Sequence, residues 1–373
     1  MTVKDVFDLR KEGKIEEAYA AIRPMYAVHQ GKYTTLCMFW TASDILKKRI
    51  QEGRIQEAEK IFEALLRLLP NIDDKDGKSH SAILHAALQL DESSQNFRIL
   101  DFMERYGVDK LQESDWETHT SPSPDGKTPG HQLPSTAQRI MTRCFHTIQS
   151  SPTADNALKV MPLLEEALRR APRHKNNQRY MAVIYKILGE KEKSIDIYRR
   201  LLQRYHDSYM YAELAELTDD PGKKASLYCR AILSQRQEKF RGGYRLALAS
   251  LLLGRDNSKA AYEVMKCAAC REKEGYHAGK TLLDLQKQLA GVEPSSDANQ
   301  QNFYKRMSEK YPIKAHDSFI DAIDTIETID IIDAIDKIDI SLATMHRMVY
   351  EKKGRLPYSR NALFLSPVRV YKI

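Results

Sequence analysis

Two cysteines and a histidine near the end of the helical part of the chain are the residues best placed for metal chemistry. Two residues separate Cys267 from Cys270, and His277 follows seven positions after Cys270. A structural zinc needs four ligands, usually from two such pairs, and the chain has no second pair. Cys267 also falls on the apolar face of a predicted helix, where cysteine packs as a small hydrophobe. We favour packing over metal binding and expect no stoichiometric zinc.

An acidic run at residues 73–77, DDKDG, is the second candidate for a metal site. A calcium-binding loop with its glycine at Gly77 would place its first ligand at position 72 and its bidentate glutamate at position 83. Those positions hold Ile72 and Ile83. The pattern therefore favours a turn between two helices.

Motifs for catalysis and cofactor binding are missing from the chain. It contains no G-x-S-x-G, no GxxxxGK[ST], no GxGxxG and no HExxH, and its eleven histidines are scattered singly. We expect no catalytic residue and no cofactor. An enzyme assembled from distant side chains is the third-ranked alternative.

Residues 172–209 predict a pair of amphipathic helices. The first helix has an apolar face at Tyr180, Val183, Ile184 and Ile187; Gly189 ends it; the second has Ile195, Tyr198, Leu201 and Leu202. Two short helices cannot bury these faces alone, so they need a stacked neighbour. This is the organisation of a solenoid.

These residues resemble the tetratricopeptide (TPR) family. In this family an aromatic residue lies in helix A, a glycine forms the turn, and a small residue lies where the helices cross. An aromatic and then an apolar residue follow in helix B. The matching residues here are, in order, Tyr185, Gly189, Ser194, Tyr198 and Leu201. Earlier and later copies share parts of this pattern: Gly13, Ala18 and Ile22; Gly53, Ala58, Phe62, Leu65 and Pro70; Leu164, Ala167 and Pro172; Ala225 and Ile232; Ala260 and Val264. The crossings at Ser194, Ala225 and Ala260 are 31 and 35 residues apart, around the family's period of about 34.

The resemblance implies an all-α, TPR-like α-solenoid of antiparallel helix pairs. Composition and periodicity divide the chain into five segments: N-terminal TPR-like pairs at 1–110, a Pro/Gly-rich loop at 111–135, a central array at 136–290, a linker at 291–312, and an Ile/Asp low-complexity tract and tail at 313–373. Isoleucine recurs every three residues from Ile320 to Ile338. That period drifts around a helix with 3.6 residues per turn, so it suits a low-complexity expansion at least as well as a helix.

The loop at 111–135 is predicted to be exposed, either as a linker or, less favoured, as an inserted binding element. It also resembles TPR-bearing proteins of bacterial TOTE-type conflict operons, through Leu111, Asp115, Trp116, Gly126, Lys127, Leu133, Pro134 and Ser135. That resemblance implies a bacterial protein that accompanies nucleic-acid-handling partners.

No window reaches about 18 uninterrupted apolar residues, and the charged N-terminus does not resemble a signal peptide. The five cysteines lack the spacing of a disulfide framework, which suits a reducing compartment. We expect a cytoplasmic protein without membrane attachment.

Basic charge is concentrated in the central array. Residues 151–288 hold 26 Lys and Arg against 17 Asp and Glu, whereas the whole chain has a net charge of +7. In the TPR family the first helix of each unit lines the concave groove, so we expect Arg179, Lys186, Arg241 and Arg245 to face a partner there.

The function expected from this charge is a non-catalytic scaffold that binds an acidic protein or peptide through the concave face. The alternative is a nucleic-acid-associated subunit of a bacterial conflict or defence operon, reached through an operon partner. Scattered basic residues that only solvate helical surfaces are the equally weighted alternative to any groove.

Overall fold

The computed structural model describes residues 1–73, 76–121, 130 and 132–313. Its described part contains seventeen α-helices and one two-stranded antiparallel hairpin. The elements are α1 Val3–Lys11, α2 Ile15–Val28, α3 Lys32–Gln51, α4 Ile55–Leu68, α5 Lys78–Ser93, α6 Ile99–Tyr106, α7 Glu113–Trp116, β1 His119–Thr120, β2 Gln132–Leu133, α8 Thr136–Ser150, α9 Ala154–Arg170, α10 Lys175–Ile187, α11 Lys191–Arg204, α12 Ser208–Leu217, α13 Pro221–Ser234, α14 Gly242–Leu252, α15 Asn257–Lys273, α16 Lys280–Gln288 and α17 Asp297–Lys310. The prediction of an all-α helical-repeat fold is confirmed.

Successive helices pack as pairs, and each pair packs on the next. Helices α1 and α2, α3 and α4, α10 and α11, α12 and α13, and α14 and α15 form pairs. Where two pairs follow each other directly, the second helix of one contacts the first of the next, as α2 contacts α3, α11 contacts α12 and α13 contacts α14. One apolar cluster extends from Phe39 to Tyr304, so the two predicted helical blocks share a core. A smaller cluster of Val6, Ala18, Ile22 and Cys37 holds the first pair.

Glycine turns join the helices of several pairs. Gly13, Gly53 and Gly189 have φ angles of +77°, +73° and +81°, a region that side chains with a Cβ rarely adopt. At Gly189 the N–H groups of Gly189 and Glu190 donate to the carbonyls of Lys186 and Tyr185. This is the Schellman arrangement, which satisfies carbonyls left free at the end of a helix.

Small residues lie where the paired helices cross. Ala18, Ala58, Ser194 and Ala260 are fully buried, and Ala225 is 5% exposed. The Ser194 hydroxyl donates to the Ala182 carbonyl at 2.7 Å, across the pair. The register inferred from Gly189 therefore places the small residue at the contact between helices.

The segment predicted as an exposed loop is partly docked. Leu111 is buried, and Asp115 in the short α7 is 2% exposed. Its carboxylate accepts hydrogen bonds from Ser81 Oγ at 2.7 Å and from the Gln112 backbone N–H at 2.9 Å. Strands β1 and β2 follow, with His119 paired to Leu133. The prediction of exposure is thus wrong at Leu111 and Asp115, whereas Glu113 and Ser114 are exposed. Gly126 and Lys127 lie outside the described residues.

The segment predicted as a linker, 291–312, contains α17. Its composition is polar, but Tyr304 is fully buried and Gln300 is too. Helix α17 packs on α13, and the Arg230 guanidinium on α13 donates to the Ser308 and Tyr311 carbonyls near the end of α17. The linker prediction is corrected over residues 297–310. The isoleucine tract and the rest of the predicted tail lie outside the described residues.

A buried ion pair anchors α17. Arg245 on α14 and Glu263 on α15 are 2.6 Å apart, and their side chains are 4% and 0% exposed. The Glu263 carboxylate also accepts from Gln300 Nε2 at 2.6 Å and from the Tyr304 hydroxyl. Burial raises the pKa of Glu263, and the Arg245 guanidinium opposes that effect. A charge in this position is stable only while its partners are present.

We expect Ser194→Leu to lower the free energy of unfolding by about 1–3 kcal/mol, because the added carbons overpack a crossing that has no room. Thermal unfolding followed by circular dichroism measures the change. Ser194→Ala, which keeps the residue small, is the control and should cost only about 1 kcal/mol for the lost hydrogen bond. An unchanged midpoint for Ser194→Leu would contradict the observed packing.

We expect Glu263→Ala to cost about 3–5 kcal/mol, because it leaves the Arg245 guanidinium buried without its counter-charge. The double variant Arg245→Met/Glu263→Leu removes both charges and should recover part of that stability, since the Gln300 amide and the Tyr304 hydroxyl still lose their acceptor. Urea unfolding of the two variants gives the comparison. An equal loss of unfolding free energy in both variants would show that the shape of the side chains, rather than an unpaired charge, causes the destabilisation.

Candidate partner-binding surface

Arg179 and Lys186, two of the four residues predicted to face a partner, already bind carboxylates of the next helix pair. Arg179 Nε lies 2.9 Å from Glu213 Oε2, and its guanidinium stacks over the Tyr209 ring at 4.7 Å from the centroid. Its side chain is 17% exposed. Lys186 pairs with Glu216 and is 39% exposed. A partner at either residue must compete with this intramolecular pair.

Arg241 and Arg245 are held within their own neighbourhood. Arg241 Nε donates to the Gln235 carbonyl at 2.7 Å, and its Nη1 lies 2.9 Å from Glu238. Arg245 also pairs with Glu238, at 2.7 Å, in addition to Glu263. The expectation that Arg245 lies free on an exposed polar face is wrong, because its side chain is 4% exposed.

The carboxylate that binds Arg179 lies one repeat period further along the chain, a signal that helix-face reasoning overlooked. Glu213 is 34 residues after Arg179, and the same spacing separates Arg10 from Asp44, which are 2.7 Å apart. Arg49 is 33 residues after Glu16 and binds it with two hydrogen bonds, at 2.6 and 2.9 Å. Opposite charges one repeat apart indicate contacts between neighbouring helix pairs. Counting the basic residues of one helix pair therefore overestimates the positive charge that is available to a partner.

A second group of basic residues comes together around His85, and we name it the His85 cluster: Lys47, His85, His119 and Arg139. Four elements supply it, namely α3, α5, β1 and α8. Helix α5 packs on both α3 and α8. His85 Nε2 lies 2.9 Å from the Thr136 hydroxyl, and Arg139 is one turn further along α8 on the same side. His119 is paired with Leu133, just before α8 begins.

Few carboxylates lie close enough to neutralise the positive charges of the His85 cluster. Partial burial and the positive charges of Arg139, Lys47 and His119 lower the pKa of the His85 ring, and the Asp115 carboxylate opposes them. That carboxylate is buried and turned toward Ser81 and Gln112. Lys47 and Arg139 are exposed, and neither forms an ion pair with a carboxylate in the described part of the chain. The cluster therefore offers positive charge that no ion pair has already neutralised.

Cysteines and acidic residues form no metal site in the part of the chain that the structure describes. No group of three or more His, Cys, Asp or Glu is placed to hold an ion. Cys267 is buried, its Sγ lies 3.8 Å from the Gly242 carbonyl, and burial raises its pKa. Ile83, at the position where a calcium loop needs glutamate, is 1% exposed in the core. The absence of zinc stays a prediction for elemental analysis.

No described helix is long and apolar enough to cross a membrane.

Comparison with known proteins adds a family match without a function. Residues 178–310 match the family described as "Domain of unknown function (DUF7017)", which is less than half of the chain. No curated protein matches. The helices α10–α17 lie largely within the matched range, and the His85 cluster lies before it.

Two solved structures illustrate the structural likeness. A tetratricopeptide repeat protein from Parabacteroides merdae ATCC 43184 has 13% identity and a TM-score of 0.29, and the alignment covers 77% of this chain and 96% of that one. BtubC (BKLC) from P. vanneervenii has 14% identity and a TM-score of 0.24, with 77% and 94% covered. Such scores are too low to add to the fold that the helices themselves show. Neither comparison supports the resemblance to conflict-operon proteins.

The Arg179–Glu213 pair predicts a charge-reversal result. Arg179→Glu places two carboxylates together in a partly buried site and should destabilise the protein by about 1–3 kcal/mol. Exchanging the charges, in Arg179→Glu/Glu213→Arg, should recover part of that loss. Chemical denaturation of the single and double variants measures it. Absence of coupling between the two positions would mean that the pair does not stabilise the junction.

Proposed function

We propose that the protein is a non-catalytic helical-repeat scaffold that binds an acidic or phosphate-bearing segment of a partner protein through the His85 cluster. The supporting observation is the convergence of four basic groups from four elements, with Lys47 and Arg139 lacking a carboxylate partner among the described residues. The expected partner, an acidic protein or peptide, is kept. Its main contact moves from the central array to the N-terminal half of the chain.

The surface at Arg179 and Lys186 differs from the His85 cluster in that a partner there must compete with ion pairs inside the protein. Binding at Arg179 or Lys186 would exchange a contact with Glu213 or Glu216 for one with the partner, which gains little. Binding at Lys47 or Arg139 adds contacts without breaking any described ion pair. Each exposed contact contributes about 1 kcal/mol or less, so selectivity comes from their sum. Partner contact at Arg179, Lys186 and Arg241 remains part of the proposal as a secondary surface.

Phosphate would be bound by the same chemistry as carboxylate, with a difference in geometry. Arg139 presents a planar set of N–H donors, which suits two oxygens of one anion, while Lys47 acts as a point charge. The two histidines become donors at both ring nitrogens when protonated. An anion therefore favours protonation of His85, whose pKa is lowered in the free protein.

Nucleic acid is the alternative ligand, because its backbone phosphates would meet the same positive charges. It differs in its salt dependence, since each neutralised phosphate releases counterions. A bacterial conflict operon as the biological setting belongs to this alternative. A steep loss of oligonucleotide binding with salt distinguishes it from a short acidic peptide, which involves fewer charges.

Binding of a fluorescent acidic peptide, its phosphoserine form and a single-stranded oligonucleotide, measured by anisotropy, tests the proposal. Lys47→Gln/Arg139→Gln should weaken binding of the phosphopeptide by about tenfold, the sum of two exposed contacts. Affinity for the acidic peptide should rise as pH falls from 8 to 6, because its carboxylates stay ionised and stabilise protonated His85. His85→Gln should remove that pH dependence.

Lys223→Gln/Arg255→Gln is the matched control, because it removes the same charge at exposed positions outside the cluster. Equal weakening by the control and cluster variants would mean that binding follows net charge alone, and would refute the His85 cluster as the site. Preferential binding of the oligonucleotide with a steep salt slope would favour the alternative.

A further inference from the structure

An apolar pocket lies between α6, α8 and α9, with no part in the His85 cluster. Its volume is about 270 Å³. Buried side chains form its inner wall: Leu100, Met103, Cys144 and Leu163 are between 0% and 5% exposed. Such a volume lies just below the range of about 300–1,000 Å³ typical of drug-sized ligands, which suits a single large side chain.

The pocket opens beside an unusually exposed leucine. Leu158, on α9, lines the pocket and is 58% exposed. Pro162, four residues later in the same helix, also lines it and has no N–H to donate to the Leu158 carbonyl. Gly107, which presents no side chain, also lines the pocket. The opening therefore combines apolar surface with a backbone carbonyl that lacks its usual helical donor.

Negative charge exceeds positive charge at the rim. Lys159 Nζ lies 3.3 Å from both Asp101 and Glu104 and 3.0 Å from Asp155, so one ammonium is shared by three carboxylates. Asp101 has a second partner in Arg98, at 2.6 Å. Asp155 is 74% exposed and Glu104 is 48% exposed. The carbonyl end of α6 adds partial negative charge at Gly107.

We propose that this pocket docks a partner segment that inserts one aromatic or branched aliphatic side chain, flanked by lysine or arginine. The apolar wall would hold the inserted side chain, and Glu104 and Asp155 would pair with the flanking cation. A central apolar anchor surrounded by charged contacts is the arrangement that carries most of the energy in protein interfaces. The inference does not rest on the proposed anion binding, since the two sites select segments of opposite charge.

Synthetic peptides provide the probe. Each has a central Leu, Phe, Trp or Ala, flanked on both sides by Lys in one set and by Glu in the other. The reporter is the methyl resonance of Met103 in protein labelled with ¹³C-methyl methionine, assigned through Met103→Leu. We expect peptides with a large apolar centre and lysine flanks to shift this resonance. They should bind at least about tenfold more tightly than the Ala-centred peptide or the Glu-flanked set.

Rim variants separate the apolar and the charged contributions. Leu158→Ser should weaken the lysine-flanked peptides by about tenfold, and Glu104→Gln/Asp155→Asn should reduce the preference for lysine over glutamate flanks. All three residues are exposed, so the fold should be retained, which circular dichroism checks. Leu283→Ser on α16, where the leucine is 45% exposed, is the matched control and should leave binding unchanged.

Three outcomes would overturn the inference. The first is an unchanged Met103 resonance with every peptide. The second is equal binding of lysine- and glutamate-flanked peptides. The third is a self-associated protein that Leu158→Ser converts to monomer in sedimentation experiments, because the occupant would then be a second copy of this chain. Loss of phosphopeptide binding in the Lys47→Gln/Arg139→Gln variant would affect none of these results, so the two proposals can fail separately.

Discussion

Close approach of paired helices is the constraint on which the rest of the fold depends. At Ser194, Ala58 and Ala260 the small side chains are fully buried, and the Ser194 hydroxyl reaches the Ala182 carbonyl on the paired helix. This closeness brings the larger residues of the same helices, such as Tyr198 and Phe62, into the shared core. Stacking of successive pairs in turn lets a side chain on one pair reach a residue about 34 positions away, as Arg179 reaches Glu213.

Charge in this protein is used in two different ways. Between pairs, arginine and carboxylate side chains bind each other and stabilise the junctions, as at Arg49 and Glu16, where the hydrogen bonds from Arg49 hold the pKa of Glu16 at about 2. Around His85, in contrast, positive groups gather with one buried carboxylate beside them. A high proportion of charged residues is therefore compatible with a chain in which only a few surfaces have charge available to a partner.

Local patterns allowed much of the fold to be predicted. Gly189 and Ser194 mark a turn and a crossing through short-range sequence spacing, and the same applies to Gly53 and Ala58. Local spacing could not predict the burial of Arg245, because that burial depends on Glu263 and on Tyr304, which is 59 residues away. Helix α17 was missed for the same reason: its polar composition indicates a linker until Gln300 and Tyr304 find their partners. The His85 cluster combines residues of four elements, and no periodicity within one helix could reveal it.

The attachment of α17 also determines an order of assembly. Its buried contacts join Gln300 and Tyr304 to Glu263 and Arg245, and its outer end meets Arg230 on α13. Helices α13, α14 and α15 can form and pack through contacts with their neighbours along the chain. Helix α17, in contrast, must close loops of 37 to 81 residues before it forms its buried contacts. Its docking site has to exist first. During synthesis the repeats can accordingly become structured as they emerge, while the Arg245–Glu263 pair lacks Gln300 and Tyr304 until α17 arrives.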